Sequence, residues 1–351
     1  MFLALALAAL TEAPRVGRVA VVTVPFVLPV ETARELSPTA SERLTFQIGG
    51  QSASALDPFA KSEARASLFQ LDMNVARPGD DPTFAPRIAA AQCIVLEGGN
   101  WLDWWFALRP YGKQSELCRA LVRAHARGIH LVGIGPAGAH LAGRSLLSRA
   151  TLHRPNRDPH ARSIDVLLGG IGVSSDLCID FATDGRVDPE RMLEALFDRD
   201  LERGVWLAGP CAWIEDANTQ TASTVGPSGA AFVFDARSSR RSREQIEDVA
   251  LTRLVDGSRI DLANRAAQSN TVPTSREETS TGPGGEAGPG KLAGFFDLPG
   301  ENTWISGKPL TLRGERHVLR LAFDSPSNAD RSGPGPNAPD RARLAWLPLE
   351  R

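Results

Sequence analysis

Apolar runs and helical stripes alternate most clearly between residues 93 and 147. Ile94 to Leu96 is a short apolar run closed by Gly98-Gly99. Leu117, Leu121 and Val122 then form a helical face, continued by Ala124, and Gly128 closes that helix at its C-terminal end. Ile129 to Ile134 is a second apolar run, followed by Gly135-Pro136-Ala137-Gly138-Ala139 and another helical stretch. The pattern predicts strand, Gly-rich turn, helix, strand, sharp turn, helix. Two strands joined by a helix make a parallel crossover. In such sheets the functional crevice lies beyond the carboxyl ends of the strands. Both Gly-rich turns, Gly98 to Trp101 and Gly135 to Ala139, fall there.

The rest of the chain is patterned more weakly. Thr32 to Asp57 is polar and holds Gly49-Gly50, which predicts loop and a short helix. Ala60 to Leu71 has helical spacing, with Ala64, Leu68 and Leu71 on one face. Pro86 to Ala91 predicts a short helix feeding the Cys93 strand. Ile164 to Leu168 predicts a strand, and Pro189 to Phe197 a helix with Asp188 as N-cap. Val205 to Ala208, Trp213 to Ile214 and Ala230 to Phe234 predict short strands. Val249 to Leu254 and Arg259 to Leu262, around Asp256-Gly257, predict a hairpin. Composition changes at Gln268 to Gly290, rich in Ser, Thr, Gly, Pro and Glu, which buries too little apolar surface to offset its ordering entropy. Beyond it come short strand patterns at Leu292 to Phe296, Trp304 to Ile305, Leu310 to Leu312, Val318 to Phe323 and Ala342 to Leu349. The expected organisation is an α/β domain over 1–265, a flexible linker over 266–290 and a small β-rich extension over 291–351.

Charge and cysteine content narrow the chemistry. The chain has 351 residues, a net charge of −2 and a pI near 6.3. That balance carries no electrostatic footprint for nucleic acid or an acidic membrane surface. Cys93, Cys118, Cys178 and Cys211 are widely spaced, in neither a metal-ligand nor a disulfide pattern. His153 and His160 sit in an Arg/Pro-rich loop and form no zinc pattern, so no metal and no cofactor is expected. Residues 2 to 10, Phe-Leu-Ala-Leu-Ala-Leu-Ala-Ala-Leu, are apolar and of signal-peptide length but lack a basic n-region. Nothing later is long and apolar enough to span a membrane.

From Cys93 onward the order of motifs resembles a known family. Gly98-Gly99-Asn100, a helix, then the turn at Gly135-Pro136-Ala137-Gly138-Ala139 is similar to the Gly-Gly-Asn and Gly-Thr-Ser-Ala-Gly-Ala pattern of cyanophycinases and dipeptidase E serine peptidases. Gly170-Ile171-Gly172, Ile179-Asp180 and Arg191-Met192-Leu193 resemble that family's later landmarks. The resemblance covers roughly residues 1 to 262. It implies a flavodoxin-like, class I glutamine amidotransferase-like fold: a mostly parallel, doubly wound sheet with helices on both faces. It also implies a peptide or small-molecule ligand and a homodimer. In the family a first strand precedes the first helix, and that helix leads into a second strand, which Val19 to Val24, ending at Pro25, resembles. Residues 2 to 10 then stand for that helix, with the numbering starting one strand late. The other reading is a signal peptide, and the compartment stays open: cytoplasmic as numbered, secreted or periplasmic otherwise.

The same resemblance implies that the catalytic residues are lost. The family's nucleophilic serine falls on Pro136, which has no hydroxyl and a φ locked near about −65°; a relaxed turn is expected there. The family's histidine falls on Ala182, its Asp-Glu motif near Ala208-Gly209, and its acid around Thr151 to Arg154, where there is no carboxylate. Ser-His-acid catalysis needs a nucleophile, a base and an acid that orients the base. The expectation is a pseudoenzyme with a binding or scaffold role, whose crevice is lined by Gly98, Gly99, Asn100, Trp101, Gly135, Ala137 and Gly138. The alternative is a divergent hydrolase of aspartyl or Asp-Arg peptides with a relocated nucleophile such as Cys211. Cys211 is expected to be a buried inert thiol and His140 to pack on a neighbouring element. Trp101, where the family commonly has glutamine, fills the old pocket or forms an aromatic wall. Glu97 and Asp103 are expected to be solvated carboxylates, with an old cation site as the other reading.

Overall fold

The computed structural model describes residues 15–37, 42–49, 59, 65–143, 145–146, 170–173, 177–181, 192–193, 195–196, 201–241, 246–263 and 267–269. It adds the strand backbones at 303–305, 310–312, 315–323 and 340–348. The chain divides into two compact units, one of residues 1–144, 169–175 and 214–222, the other of 145–168, 176–213 and 223–351. The architecture is α/β.

The first unit is built on parallel strands β1 (Arg18–Val22), β2 (Glu42–Ile48), β3 (Arg65–Leu71), β4 (Cys93–Gly98) and β5 (His130–Ile134). Its helices are α1 (Val30–Leu36), α2 (Phe84–Ala90), α3 (Trp101–Leu108), α4 (Glu116–Ala126) and α5 (Pro136–Ala142). The sheet order is Ala212–Asp216, β1, β5, β4, β2, β3. β1 and β4 are apolar along almost their whole length because both faces of a parallel sheet are covered. Register places Val21, Gly133, Leu96 and Phe46 side by side on one face. There α2 sets Phe84 edge-on to Phe46 at 5.1 Å and α5 lays Gly138 against Val21 and Gly133. The opposite face of β2 and β4 carries buried Arg43, Thr45, Gln47 and Glu97. α4 buries Leu117, Leu121 and Ala124 and is capped by Ser115, whose hydroxyl accepts the Cys118 N–H at 3.1 Å.

Two expectations for this unit are corrected. The helical spacing over 60–71 gives strand β3 at Arg65–Leu71, paired residue for residue with β2. The polar stretch over 32–57 contains, besides α1, the strand β2, in which Leu44, Phe46 and Ile48 alternate with polar positions. Neither strand is stabilised locally; each is fixed by a parallel neighbour that is distant in sequence.

The second unit holds a mixed sheet in the order Thr303–Ile305, Glu315–Phe323, Asp340–Pro348, Ile246–Leu254, Ala230–Asp235, Arg203–Ala208, Leu177–Phe181, Ser145–Leu146. The last three are parallel and the others antiparallel. The C-terminal strands therefore continue this sheet through Ile246–Leu254. The expected hairpin is corrected: the turn at Asp256-Gly257 forms, but Ser258–Asp261 pairs with Ala267–Ser269, not with Ile246–Leu254. The segments expected as linker beyond Ser269, as strands at 164–168 and 292–296, and as an N-terminal helix lie outside the described residues, as does Asp188.

Candidate functional site

β4 and β5 are adjacent and parallel, so their two strand-to-helix turns stand side by side at the carboxyl edge. In the first, Gly98 (φ +72°) and Gly99 (φ +64°) take left-handed conformations. A Cβ at Gly98 would collide with the Ile48 carbonyl oxygen at the end of β2. Asn100 follows as the N-cap of α3. Its Oδ1 accepts the N–H groups of Leu102 at 2.8 Å and Asp103 at 3.1 Å, while Asp103 Oδ2 accepts the Asn100 N–H at 2.8 Å. This is a capping box, and it commits both side chains to the helix end. The Trp104 indole is fully buried and donates to the Gly98 carbonyl at 2.6 Å.

The second turn is built otherwise. Gly135 has φ +57° and ψ −130°, and no side chain caps α5. Its N–H donates to the Val22 carbonyl at 2.8 Å and its carbonyl accepts the Gly138 N–H at 2.9 Å. A Cβ added at Gly135 would meet only Val24 Cγ2, at 3.8 Å, so space lies open in front of it. Just before and after, strand and helix backbones touch: a Cβ at Gly138 would come 2.5 Å from the Gly133 oxygen, and one at Gly133 would run into the Gly138 backbone.

The bend falls one residue earlier than expected. A nucleophile elbow has a strained apex with small residues two positions either side. The residue at the bend is Gly135, for which a positive φ carries no steric cost, flanked at that spacing by Gly133 and Ala137; Pro136 is the first residue of α5, where its fixed φ suits the helix. An elbow also uses the N–H of the residue after the nucleophile to hold an oxyanion. That residue is Pro136, which has no N–H. The apex thus has no side chain, and the position after it has no donor.

Histidine chemistry is equally committed. His140 is 1% exposed, and its Nε2 lies 2.8 Å from the Trp101 carbonyl, which can only accept, so Nε2 carries the proton. Burial pushes its pKa down to about 4, against the raising effect of that hydrogen bond. Its ring centroid is 5.9 Å from that of half-buried Trp101, and its own carbonyl accepts the Ile171 N–H at 2.7 Å. His140 therefore joins three segments and is packed on a neighbouring element. His130 Nδ1 accepts the Arg18 N–H at 2.9 Å, and burial, then the Arg18 charge, holds its ring below the ordinary histidine range.

The expectation of solvated carboxylates is corrected for Glu97, which is buried and accepts from Gln47 Nε2 at 3.1 Å. Asp103 stays partly exposed at the helix end, where it accepts the Asn100 N–H. Arg109, not singled out in the sequence, donates Nη2 to the Gly170 carbonyl at 2.9 Å. Cys211 is buried, with Sγ 3.9 Å from the Ala208 oxygen and 3.8 Å from that of Ala230. All four cysteines are buried, and burial pushes the Cys118 thiol up. Ala208 and Gly209 carry no acid. Ala182 and residues 151–154 lie outside the described residues. Among the described residues, no group of three or more His, Cys, Asp or Glu could hold a metal ion, and no helix is long and apolar enough to cross a membrane.

No family model and no curated protein matches the chain. A solved structure that it resembles is the crystal structure of a peptidase from an acI-B1 Actinobacterium. The two share 15% identity over 71% of this chain and 98% of that one, with a TM-score of 0.48. A likeness of that extent says nothing of this chain's chemistry, which is argued from the residues above. One signal could have located the apex from sequence. Proline favours the first helical position, so Pro136 at that position makes Gly135 the residue at the bend.

Proposed function

We propose that this chain is a catalytically inactive peptidase-like protein of the cyanophycinase and dipeptidase E type, with a binding or scaffold role. The observation that carries the reading is the apex of the turn after β5. Gly135 stands where a nucleophile would, and Pro136 stands where its oxyanion donor would. A serine hydrolase without these two groups loses both the covalent step and the electrostatic stabilisation of its intermediate. The buried thiols and the committed ring of His140 count against a nucleophile relocated to this crevice. The crevice keeps its glycine backbones and Trp101, surfaces against which a ligand can lie without being cleaved.

The test is hydrolysis of an Asp-Arg polymer and of aspartyl dipeptides by the purified, folded protein, with an authentic cyanophycinase beside it. Wild type, Pro136→Ser and Gly135→Ser should show no turnover: the first variant puts its hydroxyl off the apex, and the second still lacks the N–H. Wild-type turnover that survives stringent repurification would sink the proposal.

A further inference from the structure

The chain enters β1 through polar contacts at the amino end of the strand. Asn218 clasps Val16, accepting its N–H at Oδ1 (2.8 Å) and donating Nδ2 to its carbonyl (2.7 Å). The Gly17 N–H donates to the His125 carbonyl at 2.8 Å, and a Cβ at Gly17 would stand 2.0 Å from the Ile129 oxygen. Gly17 therefore lies directly on the turn between α4 and β5. The β1–β5 register begins at Val19, opposite Leu131. One residue earlier, the His130 backbone N–H is engaged with the Gln92 carbonyl at 3.1 Å. The His130 ring takes over there, accepting the Arg18 N–H at Nδ1. A neutral imidazole accepts at one nitrogen, whereas an imidazolium has two donors and no acceptor. This contact exists in only one charge state of the ring.

The groups around the ring oppose its charging more than they favour it. The Arg18 guanidinium pairs with Asp216 (Nε to Oδ2, 3.1 Å) and with Glu35 of α1 (Nη1 to Oε2, 2.6 Å). Burial, then the Arg18 charge, work against an imidazolium at half-buried His130, while Asp216 works for it. On α4, buried His125 has an Nε2 with no hydrogen-bond partner, and charge on either ring opposes charge on the other. On β4 the register partner of His130 is the buried Cys93.

We propose that the entry of β1 is an acid-sensitive clasp. Protonation of His130 withdraws the acceptor of the Arg18 N–H and sets a second cation beside the guanidinium, so Gly17 and Arg18 part from the α4–β5 turn while the ladder from Val19 onward holds. Once parted, the ring regains an ordinary value near 6.5. The clasp is therefore fastened above that pH and loosens as the pH falls below it, with the opening equilibrium rising by up to about tenfold per pH unit for one proton. The proposal does not depend on how the crevice after β5 is read.

The test is amide hydrogen exchange by NMR on the full-length protein between pH 7.5 and 5.0, expressed as protection relative to the intrinsic rate at each pH. Arg18 should lose protection several-fold more than Val21 and Leu131, which report the ladder. In His130→Gln, whose side-chain oxygen accepts without titrating, the extra loss at Arg18 should vanish. His125→Gln should leave it in place. Circular dichroism confirms that both variants are folded, and the wild-type series stands by itself if either is not. Equal losses at Arg18, Val21 and Leu131 overturn the proposal. So does acid loss in His130→Gln like that of wild type, or its removal by His125→Gln instead. A ¹⁵N shift showing Nδ1 protonated at pH 7.5 overturns it as well.

Discussion

The turn after β4 and the turn after β5 meet the same geometric demand with different atoms. Both reverse a parallel strand into a helix at the carboxyl edge, and both use glycine at positive φ. After β4 the helix start is closed by side chains: Asn100 and Asp103 satisfy its N–H groups, and Trp104 ties back to Gly98. After β5 no side chain closes anything. Gly135 bends, Pro136 starts the helix without an N–H, and Gly133 and Gly138 let the backbones touch. The difference separates two uses of a turn. The first spends its polar atoms on its own helix. The second leaves its bend to glycine and its first helical position to proline, with no side-chain cap at either.

The contrast can be broken most severely at the backbone contact. Gly133→Ala sets a methyl into the backbone of Gly138, and should cost about 3 kcal/mol or leave the protein unfolded. Urea unfolding measures it; a cost below that of an ordinary surface change would mean the contact is not as close as described.

His140 gives an effect of similar size that depends on pH. Its folded pKa of about 4 lies below the ordinary 6.5, so the folded protein holds the proton less tightly than the unfolded chain. Stability is unaffected above about pH 6.5, falls as the pH drops through that value, and the loss from this group is complete near pH 4. At 1.36 kcal/mol per pH unit the full loss is about 3 kcal/mol. In His140→Gln, which can still donate to the Trp101 carbonyl, this component of the pH dependence should vanish. The stability gap between wild type and variant should therefore narrow on acidification. A gap constant from pH 7 to 4.5 would show that the ring is not buried neutral.

Gly135 should behave differently from Gly133, two residues away. A Cβ there has room and only the positive φ opposes it, so Gly135→Ala should cost about 1–2 kcal/mol. Chemical denaturation of the two variants in parallel checks this, and equal costs would contradict the open space in front of the apex. Asn100→Ala, which removes the cap of the other turn, should cost about 1 kcal/mol. If Asn100→Ala costs nothing, the claim that this side chain is committed to the helix end fails.

Much of the first unit was legible because its signals are local. β1, β4, β5 and α4 announce themselves by apolar runs, a helical stripe and a closing glycine, and both turns follow from glycine at their ends. β2 and β3 were not legible. In Arg65–Leu71 the apolar residues fit a helix about as well as a strand, and the choice is made by seven register pairs with β2. The hairpin around Gly257 failed for a related reason: the turn is local, but the partners of its two arms are not. At the site, the lack of a hydroxyl or thiol at position 136 could be read from the sequence. Proline's preference for the first helical position already points to Gly135, one residue earlier, as the bend, and the backbone angles place it there.

The sequence by itself determined which atoms are available: no hydroxyl or thiol at the turn after β5, no N–H at Pro136, four cysteines in no pattern, a nearly neutral chain. Composition at a position cannot be changed by folding. The tertiary structure alone decided where those residues stand. It gave Gly135 its left-handed backbone, neutralised His140 by burying it against Trp101, and sank Glu97 beside Gln47. Each of these depends on groups far apart in the chain meeting at a few ångströms, and burial, charge state and strand pairing are properties of that meeting.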